Sequence, residues 1–497
     1  MSRRYRFGPL EQRAVVGPLR IGQVVIVAAG ALLGLGALYM LRTVAGVGVA
    51  LVALALAVVA ICVPIDGRTP EEWAPVLGRW ALRRRRAEAG YRSTAPGAGT
   101  RIDEDGEAAH EASLPPALGG LELLAVPYGS EQVGVIEDRR AGTFTVAMAV
   151  RAGSFALRDS AEQERALDAW GSVLASFARE GSPVRRVQWI EQTLPGQGDE
   201  LAAHFQSQRD RTVPMDSDLV RSYIELVETA APQTTEHEVL IAVQIDQRRG
   251  ARELRRMGGG TEAACELLLR EAEGLAERLT IAEVSVSGLL RPRQYAAVVR
   301  DAFDPFGRQA RARATLSQEG REGVDPALMG PLADETGWSH YRSDSAYHAT
   351  YWISSWPRSE VGPMFMAPLL MQTNVLRTVA VTIEPVPYAL AMRRAEAAQT
   401  AEVADEINRS RQGFVSTARI RRRQQAASRR EEELAEGHAE MRWVGWLRTD
   451  TRSLEELEHS RSAVEHGAQL ARLGLQPCYG EQDMAFANTL PIAWGLK

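Results

Sequence analysis

The side chains that could carry out chemistry are few and scattered along the chain. Eight histidines occur among 497 residues. The spacings closest to a useful one join His340 with His348 and His459 with His466, and His237 lies between two glutamates. None of them forms the His-Glu-x-x-His pattern or accompanies a Cys-x-x-Cys pair, which are the spacings that hold zinc. The histidines are therefore interpreted as structural or exposed, and no metal site is predicted.

Signals of a nucleophile are absent as well. The chain has no Gly-x-Ser-x-Gly sequence, which would mark a nucleophile elbow. Its three cysteines, Cys62, Cys265 and Cys478, have no paired spacing and are interpreted as structural. Adjacent carboxylates such as Glu71 and Glu72 carry no information in a chain with 63 acidic residues. No catalytic residue is predicted.

The chain also lacks the usual sequence for binding a phosphate group. Its only lysine is the last residue, Lys497, so a GxxxxGK[ST] loop cannot occur. The sequence GQGDEL from Gly196 lacks the third glycine of a dinucleotide fingerprint, and the glycines at 258–260 do not directly follow a strand pattern. These glycines are interpreted as turns and flexible loops, and no cofactor is predicted.

The most distinctive element is the apolar stretch 21–65, whose only charged residue is Arg42. Each side of Arg42 is long enough, at ~1.5 Å per residue, to cross a ~30 Å hydrocarbon core. The stretch predicts a transmembrane helical hairpin in the plasma membrane. A long signal sequence and a buried core hairpin are the alternatives.

Arginine placement predicts the orientation of this hairpin. Arginines are frequent in the basic lead-in 1–20 and after the second apolar run, so both termini are expected in the cytoplasm. Gly30 and Gly34 are small residues at helical spacing. They are expected to let the two helices, or another membrane subunit, pack closely.

Residues 66–90 predict a basic amphipathic helix at the membrane surface. Its indole rings are expected at headgroup depth and its guanidinium groups at anionic lipid. The residues assigned to this surface are Trp73, Trp80, Arg83, Arg84, Arg85 and Arg86. A soluble helix whose arginines only stop translocation remains the alternative, and a nucleic-acid role is a weaker one.

Charge is distributed unevenly along the chain. Residues 1–92 contain 13 arginines and 5 acidic residues, a net charge of +8, so the net charge of -5 leaves -13 for the remainder. Phosphate neutralisation needs a positive surface, and the acidic charge of this body therefore argues against direct nucleic-acid binding. The heavy use of arginine, alanine and glycine indicates a high-GC bacterial gene.

The soluble part predicts an α+β fold, with helices and strands interleaved in two lobes that contain ferredoxin-like sheets. A linker is expected at 91–120, the first lobe at 121–304, a loop-rich connection at 305–337 and the second lobe at 338–497. The second lobe includes a long charged helical tract. The basic residues of this tract at 419–430 indicate a solvated face or a docking arm.

The second lobe resembles the N-terminal, non-motor domain of the large ATPases of conjugation and type IV secretion systems. The resemblance is carried by WISSWP with Trp356 and Pro357, by VTIEPVP, by the charged tract and by the segment Gln482 to Leu496. The AFDP sequence, Ala302 to Pro305, is compatible with the earlier half of that domain. The N-terminal hairpin looks like the small two-span subunit that is sometimes fused to these ATPases.

What this resemblance implies is a membrane scaffold without a motor, which binds a separately encoded ATPase and other membrane subunits of an oligomeric secretion complex. The source would be a high-GC Gram-positive bacterium. Two alternatives stay open. One is a membrane component of a type VII, mycobacterial-type secretion apparatus, and the other is a membrane-tethered enzyme with an unrecognised site.

Overall fold

The computed structural model describes most of the chain. The described residues are 21–62, 66–85, 90–93, 114–153, 155–196, 213–214, 217–230, 235–311, 323–411, 428 and 430–496. Within them, helices combine with a large antiparallel sheet, so the expected mixed α and β architecture is confirmed.

Helices occur throughout the part of the chain that the structure describes. They are α1 (Ile21–Leu41), α2 (Val44–Cys62), α3 (Pro70–Arg85), α4 (Ser160–Ala175), α5 (Asp218–Ala230), α6 (Ala251–Arg256), α7 (Gly260–Ile281), α8 (Pro292–Phe303), α9 (Ala367–Leu370), α10 (Tyr388–Arg411), α11 (Leu454–Leu470) and α12 (Gln482–Ala487).

The described strands form one 13-stranded sheet. They are β1 (Gly90–Arg92), β2 (Leu121–Tyr128), β3 (Glu131–Asp138), β4 (Thr143–Ala152), β5 (Val184–Pro195), β6 (Thr235–Asp246), β7 (Val284–Leu289), β8 (Ala333–Thr336), β9 (Tyr341–Ser343), β10 (Ala346–Ser355), β11 (Leu376–Pro385), β12 (Met441–Thr451) and β13 (Gly474–Pro477). The order is β1-β8-β9-β10-β12-β11-β5-β6-β4-β3-β2, with β13 paired to β10 and β7 to β4.

The sheet contains the same motif twice. In the first half, β4, α4, β5, β6, α7 and β7 occur in this order along the chain, with α5 inserted between β5 and β6 and the short α6 before α7, and the strands lie in the order β7-β4-β6-β5. In the second half, β10, α9, β11, β12, α11 and β13 occur in the same order, with α10 inserted between β11 and β12, and the strand order is β13-β10-β12-β11. Both halves therefore have the β-α-β-β-α-β succession and the strand order of a ferredoxin-like sheet. Glu283 and Arg472 occupy corresponding positions before the last strand, with φ angles of 60° and 59°.

The two halves do not form separate sheets, which corrects the expectation of two lobes. Strand β5 of the first half pairs with β11 of the second, from Val187 opposite Ile383 to Gln192 opposite Thr378. Each half would otherwise expose an edge strand at this junction, and the pairing satisfies the backbone groups of both. The loop-rich segment 305–337 therefore does not divide two lobes, because the sheet is continuous at β5 and β11.

Helices cover one face of the sheet on both sides of this junction. Helices α4 and α7 enclose one apolar cluster, and α9 and α11 enclose another. Trp189 of β5 packs against both clusters, which places them on one face. The next residue, Ile190, points to the opposite face and a third cluster, which includes residues of α8 and α12.

The C-terminal segment runs across the middle of that opposite face. The side chain of Gln188 donates a hydrogen bond to the carbonyl oxygen of Asn488 (3.0 Å) and accepts one from the backbone N–H of Ala493 (2.8 Å). Gln244 donates to the carbonyl oxygen of Ile492 (3.1 Å). The residues after 487 are thus held by the first half, although the sequence assigned them to the second lobe.

Helices α1 and α2 form an antiparallel pair joined by Arg42 and Thr43. A Cβ atom at Gly30 would lie 2.7 Å from the Cβ of Ala57, and one at Gly34 would lie 3.5 Å from Ala50. The backbones therefore approach closely at both glycines. Side chains are described for 26–40 of α1 and for 45–57 and 59 of α2. Over the described residues, no helix is at once long enough and apolar enough to cross a membrane.

Several predicted boundaries shift. Strand β1, at the beginning of the expected linker, pairs with β8. Within the expected second lobe, β9 and β10 form a hairpin, because Asp344 turns the chain with a φ angle of 49°. In the charged tract, residues 412–427 and 429 lie outside the described residues, and Arg430 pairs with Glu440 at 2.6 Å.

Candidate functional site

The candidate site is the junction at which α3 lies against the sheet body. Trp73 is only 8% exposed because its ring stacks on Trp338, at 5.7 Å between centroids, and on Tyr479, at 6.3 Å. Trp338 and Tyr479 are themselves nearly parallel, with 3° between their planes. Trp80, two turns further along α3, meets Trp338 edge-on at 5.2 Å. This arrangement of four aromatic side chains, the α3 junction, fixes the helix face that carries Trp73.

Ion pairs surround this aromatic centre. Arg68 and Arg79 both contact Glu481, at 3.3 and 2.5 Å, and Arg83 contacts Asp483 at 2.7 Å. The two carboxylates lie at the beginning of α12 and the arginines lie before and along α3. Because these pairs are partly exposed, they contribute less to stability than to the choice of docking position. Glycine is required at position 480, directly before Glu481, since its φ angle is 71° and a Cβ there would lie 2.7 Å from Trp338.

The residues predicted for the membrane surface separate into two groups. Trp73 and Arg83 contact the body, and the guanidinium group of Arg84 lies 5.2 Å from the ring of Trp80. Arg84 and Arg85 are exposed. The other exposed positions of α3 include Leu77 and Leu82, each 49% exposed. Arg86 lies outside the described residues.

The partners of α3 on the body were not predicted from the sequence. Trp338 is the first residue of the segment that the sequence assigned to the second lobe, and Glu481 and Asp483 are in the C-terminal segment, about 400 residues from α3 along the chain. An acidic pair directly after Tyr479 was the available signal, because a basic aromatic helix needs a surface of this composition if it is to bind the body.

A partly buried carboxyl group lies where β1 joins the sheet. Asp334 accepts hydrogen bonds from the Tyr341 hydroxyl group (2.7 Å) and from the backbone N–H of Tyr91 (3.1 Å). Burial raises the pKa of Asp334 to about 6, with smaller contributions from the charges of Asp483 and Asp344, while the two hydrogen bonds oppose the rise. This site responds to protonation between pH ~4 and ~6.

Ser343, His348 and Asp450 are arranged like a hydrolase triad but are closed to solvent. The imidazole Nδ1 lies 2.7 Å from Asp450 Oδ1 and Nε2 lies 2.7 Å from Ser343 Oγ. Ser343 donates its hydroxyl hydrogen to the carbonyl oxygen of Phe303 at 2.6 Å. All three side chains are at most 2% exposed, and burial lowers the pKa of His348. We interpret this arrangement as a buried polar network that joins β9, β10, β12 and the end of α8.

A second polar network lies on the same face of the sheet. Arg308 donates to Glu236 at 2.8 Å and to Glu238, and it lies 3.1 Å from Asp301. Arg311 pairs with Asp301 at 2.8 Å. These contacts hold the residues after α8 against β6. In the part of the chain that the structure describes, no group of three or more His, Cys, Asp or Glu residues is arranged to hold a metal ion.

The other residues considered from the sequence for metal binding or catalysis are histidines and cysteines, and their surroundings indicate structural roles. His237 Nδ1 lies 2.8 Å from Glu191 Oε1, and His459 is exposed on α11. Burial raises the pKa of Cys265 to about 11 and that of Cys478 to about 12, so both thiols are protonated at neutral pH. Residues 197–201 of the GQGDEL stretch lie outside the described residues.

The fold and the site together define a duplicated ferredoxin-like body that holds a basic helix next to a pair of apolar helices. A family model described as "Putative type VII ESX secretion system translocon, EccE" matches residues 233–353, about a quarter of the chain, from β6 to β10. Over this segment, the chain is thus similar to a translocon component of a type VII secretion system. Glu236, Glu238, Arg308, Ser343 and His348 all lie within it. No curated protein matches the chain.

Proposed function

We propose that this protein is a membrane-anchored structural component of a type VII secretion apparatus. The observation that carries this proposal is the family match over 233–353. It favours the type VII alternative over a role in conjugation or type IV secretion, for which the resemblance of the second half remains a sequence prediction. Subunits of the same membrane complex are the partners that this function requires.

The anchor in this proposal is the pair of α1 and α2. Helix α1 has 21 residues and no charged side chain, and α2 has 19. Many of their apolar side chains are exposed, including Leu33 at 69%, Met40 at 81% and Leu56 at 64%. Helices that are apolar on all sides are stable when lipid or other apolar helices surround them. Both termini would then lie in the cytoplasm, with the sheet body beside the inner leaflet.

In this arrangement, α3 connects the anchor with the body. Its Trp73 face is occupied by the α3 junction, so the side that remains for anionic lipid carries Leu77, Leu82, Arg84 and Arg85. Because the same helix contacts the body through Trp73 and follows α2 after a short connection, the sheet is held close to the bilayer. The protein would act as a scaffold without catalytic activity, and a separately encoded motor ATPase would supply the energy.

Fractionation of cells that contain a type VII system tests this function. We expect the full chain to stay in membranes after carbonate extraction and to co-purify in mild detergent with other subunits of that system. A variant without residues 21–62 should lose both properties. The matched control is Arg84→Glu with Arg85→Glu, which leaves the anchor intact and should reduce only the preference for anionic lipid. Release of the full chain by carbonate would contradict the anchor, and co-purification with a conjugation ATPase would contradict the assignment to type VII.

A further inference from the structure

The duplication of the sheet extends to its outer strands. In the first half β2 pairs with β3 and β3 with β4, and in the second half β8 pairs with β9 and β9 with β10. Strands β2 and β8 are therefore equivalent. In the second half, β1 pairs with β8, from Gly90 opposite Glu335 to Arg92 opposite Ala333. In the first half, β2 is the last strand of the sheet within the described residues.

Strand β2 has few of the features that keep an edge strand from pairing with another molecule. Such strands are usually short, charged or interrupted by proline. Strand β8 has four residues, two of them acidic, whereas β2 has eight residues, LELLAVPY, of which only Glu122 is charged. The proline of β2, Pro127, lies near the end of the strand. Residues 121–125 are therefore able to pair.

The backbone groups of alternate residues in β2 point away from β3. The backbone N–H of Arg139 donates to the carbonyl oxygen of Gly120 at 3.0 Å, and the register continues without a shift along β2. Hydrogen bonds alternate along an antiparallel strand, so the even-numbered residues of β2 bond to β3. The N–H and C=O groups that point to the open edge are those of Leu121, Leu123 and Ala125.

This edge of β2 is complementary to itself. If two copies of β2 run antiparallel with Leu123 opposite Leu123, then Leu121 of each copy lies opposite Ala125 of the other. In this register every outward N–H group of residues 121–125 meets an outward carbonyl oxygen of the other strand. Pro127, which has no N–H group, lies beyond the paired segment. A second copy of the chain therefore satisfies this part of the edge completely.

The side chains of β2 suit the same register. Leu121 and Leu123 pack against the third cluster but are only partly buried, and Ala125 is exposed. Pairing places these side chains beside their counterparts and continues the apolar face from one copy to the next. On the other face, Glu122 lies opposite Leu124 of the second copy. The two glutamates therefore do not face each other.

The junction between the two halves already shows equivalent edge strands that pair in this way. Strands β5 and β11 occupy the same place in the repeated motif, and they pair antiparallel with Trp189 opposite Val381. Each of these residues is the sixth of its strand, so the pairing is symmetrical about this point. Equivalent edges of this fold thus meet about a local twofold axis. Twofold symmetry is also the commonest arrangement of two identical chains.

We propose that this protein forms a twofold-symmetric dimer in which β2 pairs antiparallel with β2 of a second copy. Leu123 lies at the twofold axis, and the two sheets join into one. The interface uses the end of the sheet opposite to β1. The proposal depends on the open edge of β2 and is independent of the assignment to a secretion system.

Cysteine crosslinking of the full chain in native membranes tests the register. Leu121→Cys and Ala125→Cys, co-expressed as separate chains, should form a disulfide, because directly opposed residues have Cα atoms ~5.5 Å apart. Ala125→Cys expressed alone is the matched control. Two copies of position 125 would lie four residues apart along the strands, ~14 Å at ~3.4 Å per residue, and should not crosslink. Mass spectrometry of the linked peptides distinguishes the introduced cysteines from the native ones.

Substitution of Ala125 gives the second test. Ala125→Pro removes an outward N–H group and leaves the hydrogen bonds to β3 in place, so the chain should fold and dimerise at least about tenfold more weakly. Ala125→Ser keeps the N–H group and should dimerise within about twofold of the unmodified chain. Sedimentation equilibrium of the full chain in detergent measures both.

Three results would overturn the proposal. The first is a monomeric unmodified chain, and the second is equal dimerisation by the proline and serine variants. The third is a mixed disulfide between positions 121 and 125 that forms no faster than the disulfide of Ala125→Cys alone. The crosslinking test retains the native proline content, so it decides the proposal even if Ala125→Pro does not fold.

Discussion

At the scale of single residues, Trp73 is the central contact between α3 and the body. Its ring stacks on two aromatic side chains and is nearly enclosed, while Arg79 and Arg83 on the same helix pair with Glu481 and Asp483. Burial of a large aromatic ring contributes more than partly exposed ion pairs do, so the indole ring should dominate the docking free energy.

We expect Trp73→Ala to release α3 from the body. Truncation of a buried tryptophan costs on the order of 3 kcal/mol, and the loss falls on a local contact, so α3 should open more often without global unfolding. Trypsin cleavage at the arginines of α3 should then accelerate more than tenfold. The matched control is Leu77→Ala, because Leu77 is 49% exposed on the same helix. Equal cleavage rates in the two variants would show that the aromatic contacts do not hold α3.

Asp334 gives the pairing of β1 with β8 a dependence on pH. Burial raises its pKa from an ordinary value of 3.8 to about 6. The folded state therefore binds the proton more tightly than the unfolded state does. The resulting stabilisation is complete below pH ~4 and is lost as the pH rises through ~6.

We expect Asp334→Asn to remove this pH dependence. The urea midpoint of the unmodified chain should fall between pH 4.5 and 7.5 relative to that of the variant, since asparagine does not ionise. Glu266→Gln, at an exposed position of α7, is the control and should follow the unmodified chain. A constant difference between the midpoints of Asp334→Asn and the unmodified chain at both pH values would rule out this role for Asp334.

At the scale of elements, the close approach of α1 and α2 depends on glycine at specific positions. The space beside Gly30 is filled by Ala57, whereas a Cβ at Gly36, on the same helix, would meet nothing within 4 Å. Small residues at such contacts allow helix backbones to pack tightly in an apolar solvent. Gly30, which contacts α2, and Gly36, which does not, therefore form a matched pair for substitution.

We expect Gly30→Ile to separate the two helices and Gly36→Ile to leave them in place. The isoleucine side chain at position 30 would overlap the Ala57 methyl group, so the helices must shift apart. The readout is disulfide formation between cysteines introduced at Gly34 and Ala50, which face each other. In the full chain in detergent, Gly30→Ile should slow disulfide formation several-fold. A similar effect of Gly36→Ile would mean that any large side chain on α1 slows the reaction, whether or not it faces α2.

At the scale of the whole molecule, the two halves share one sheet and one buried face. Phe486 of α12, which follows the second motif, packs against Phe303 at the end of α8, with 4.8 Å between ring centroids, and against Tyr341 of β9 at 5.0 Å. The C-terminal segment then crosses to Gln188 and Gln244 of the first half. Because these contacts join the two halves, unfolding one half alone would require additional free energy.

We expect Phe486→Ala to destabilise both halves together. Removal of this buried ring should lower the free energy of unfolding by about 3 to 5 kcal/mol. Hydrogen exchange at β4 in the first half and at β12 in the second should accelerate in parallel. Met484→Ala, at a 38% exposed position of the same helix, should leave the hydrogen-exchange rates of both strands nearly unchanged. Faster exchange in β12 alone would indicate that the halves unfold independently.

Much of the secondary structure could be predicted from local sequence pattern. Alternation of apolar and polar residues in 133–140 and 142–153 is typical of paired strands, and β3 and β4 pair there, while the apolar spacing from 261 to 279 is typical of a helix and lies in α7. The uncharged stretches around Arg42 predicted α1 and α2. These features depend on residues close to each other in the chain, whose periodicity alone indicates helix or strand.

Tertiary structure alone decided how these elements combine. The sequence indicated two ferredoxin-like lobes, but β5 pairs with β11 in one sheet. The paired residues lie almost 200 positions apart, and the periodicity of a strand does not indicate which edge strand it will pair with. The same holds for Trp73 against Trp338 and Tyr479, and for Glu481 and Asp483 as partners of the α3 arginines. A local pattern fixes which face of an element is apolar, whereas the partner of that face is selected by contacts between residues that are distant in the chain.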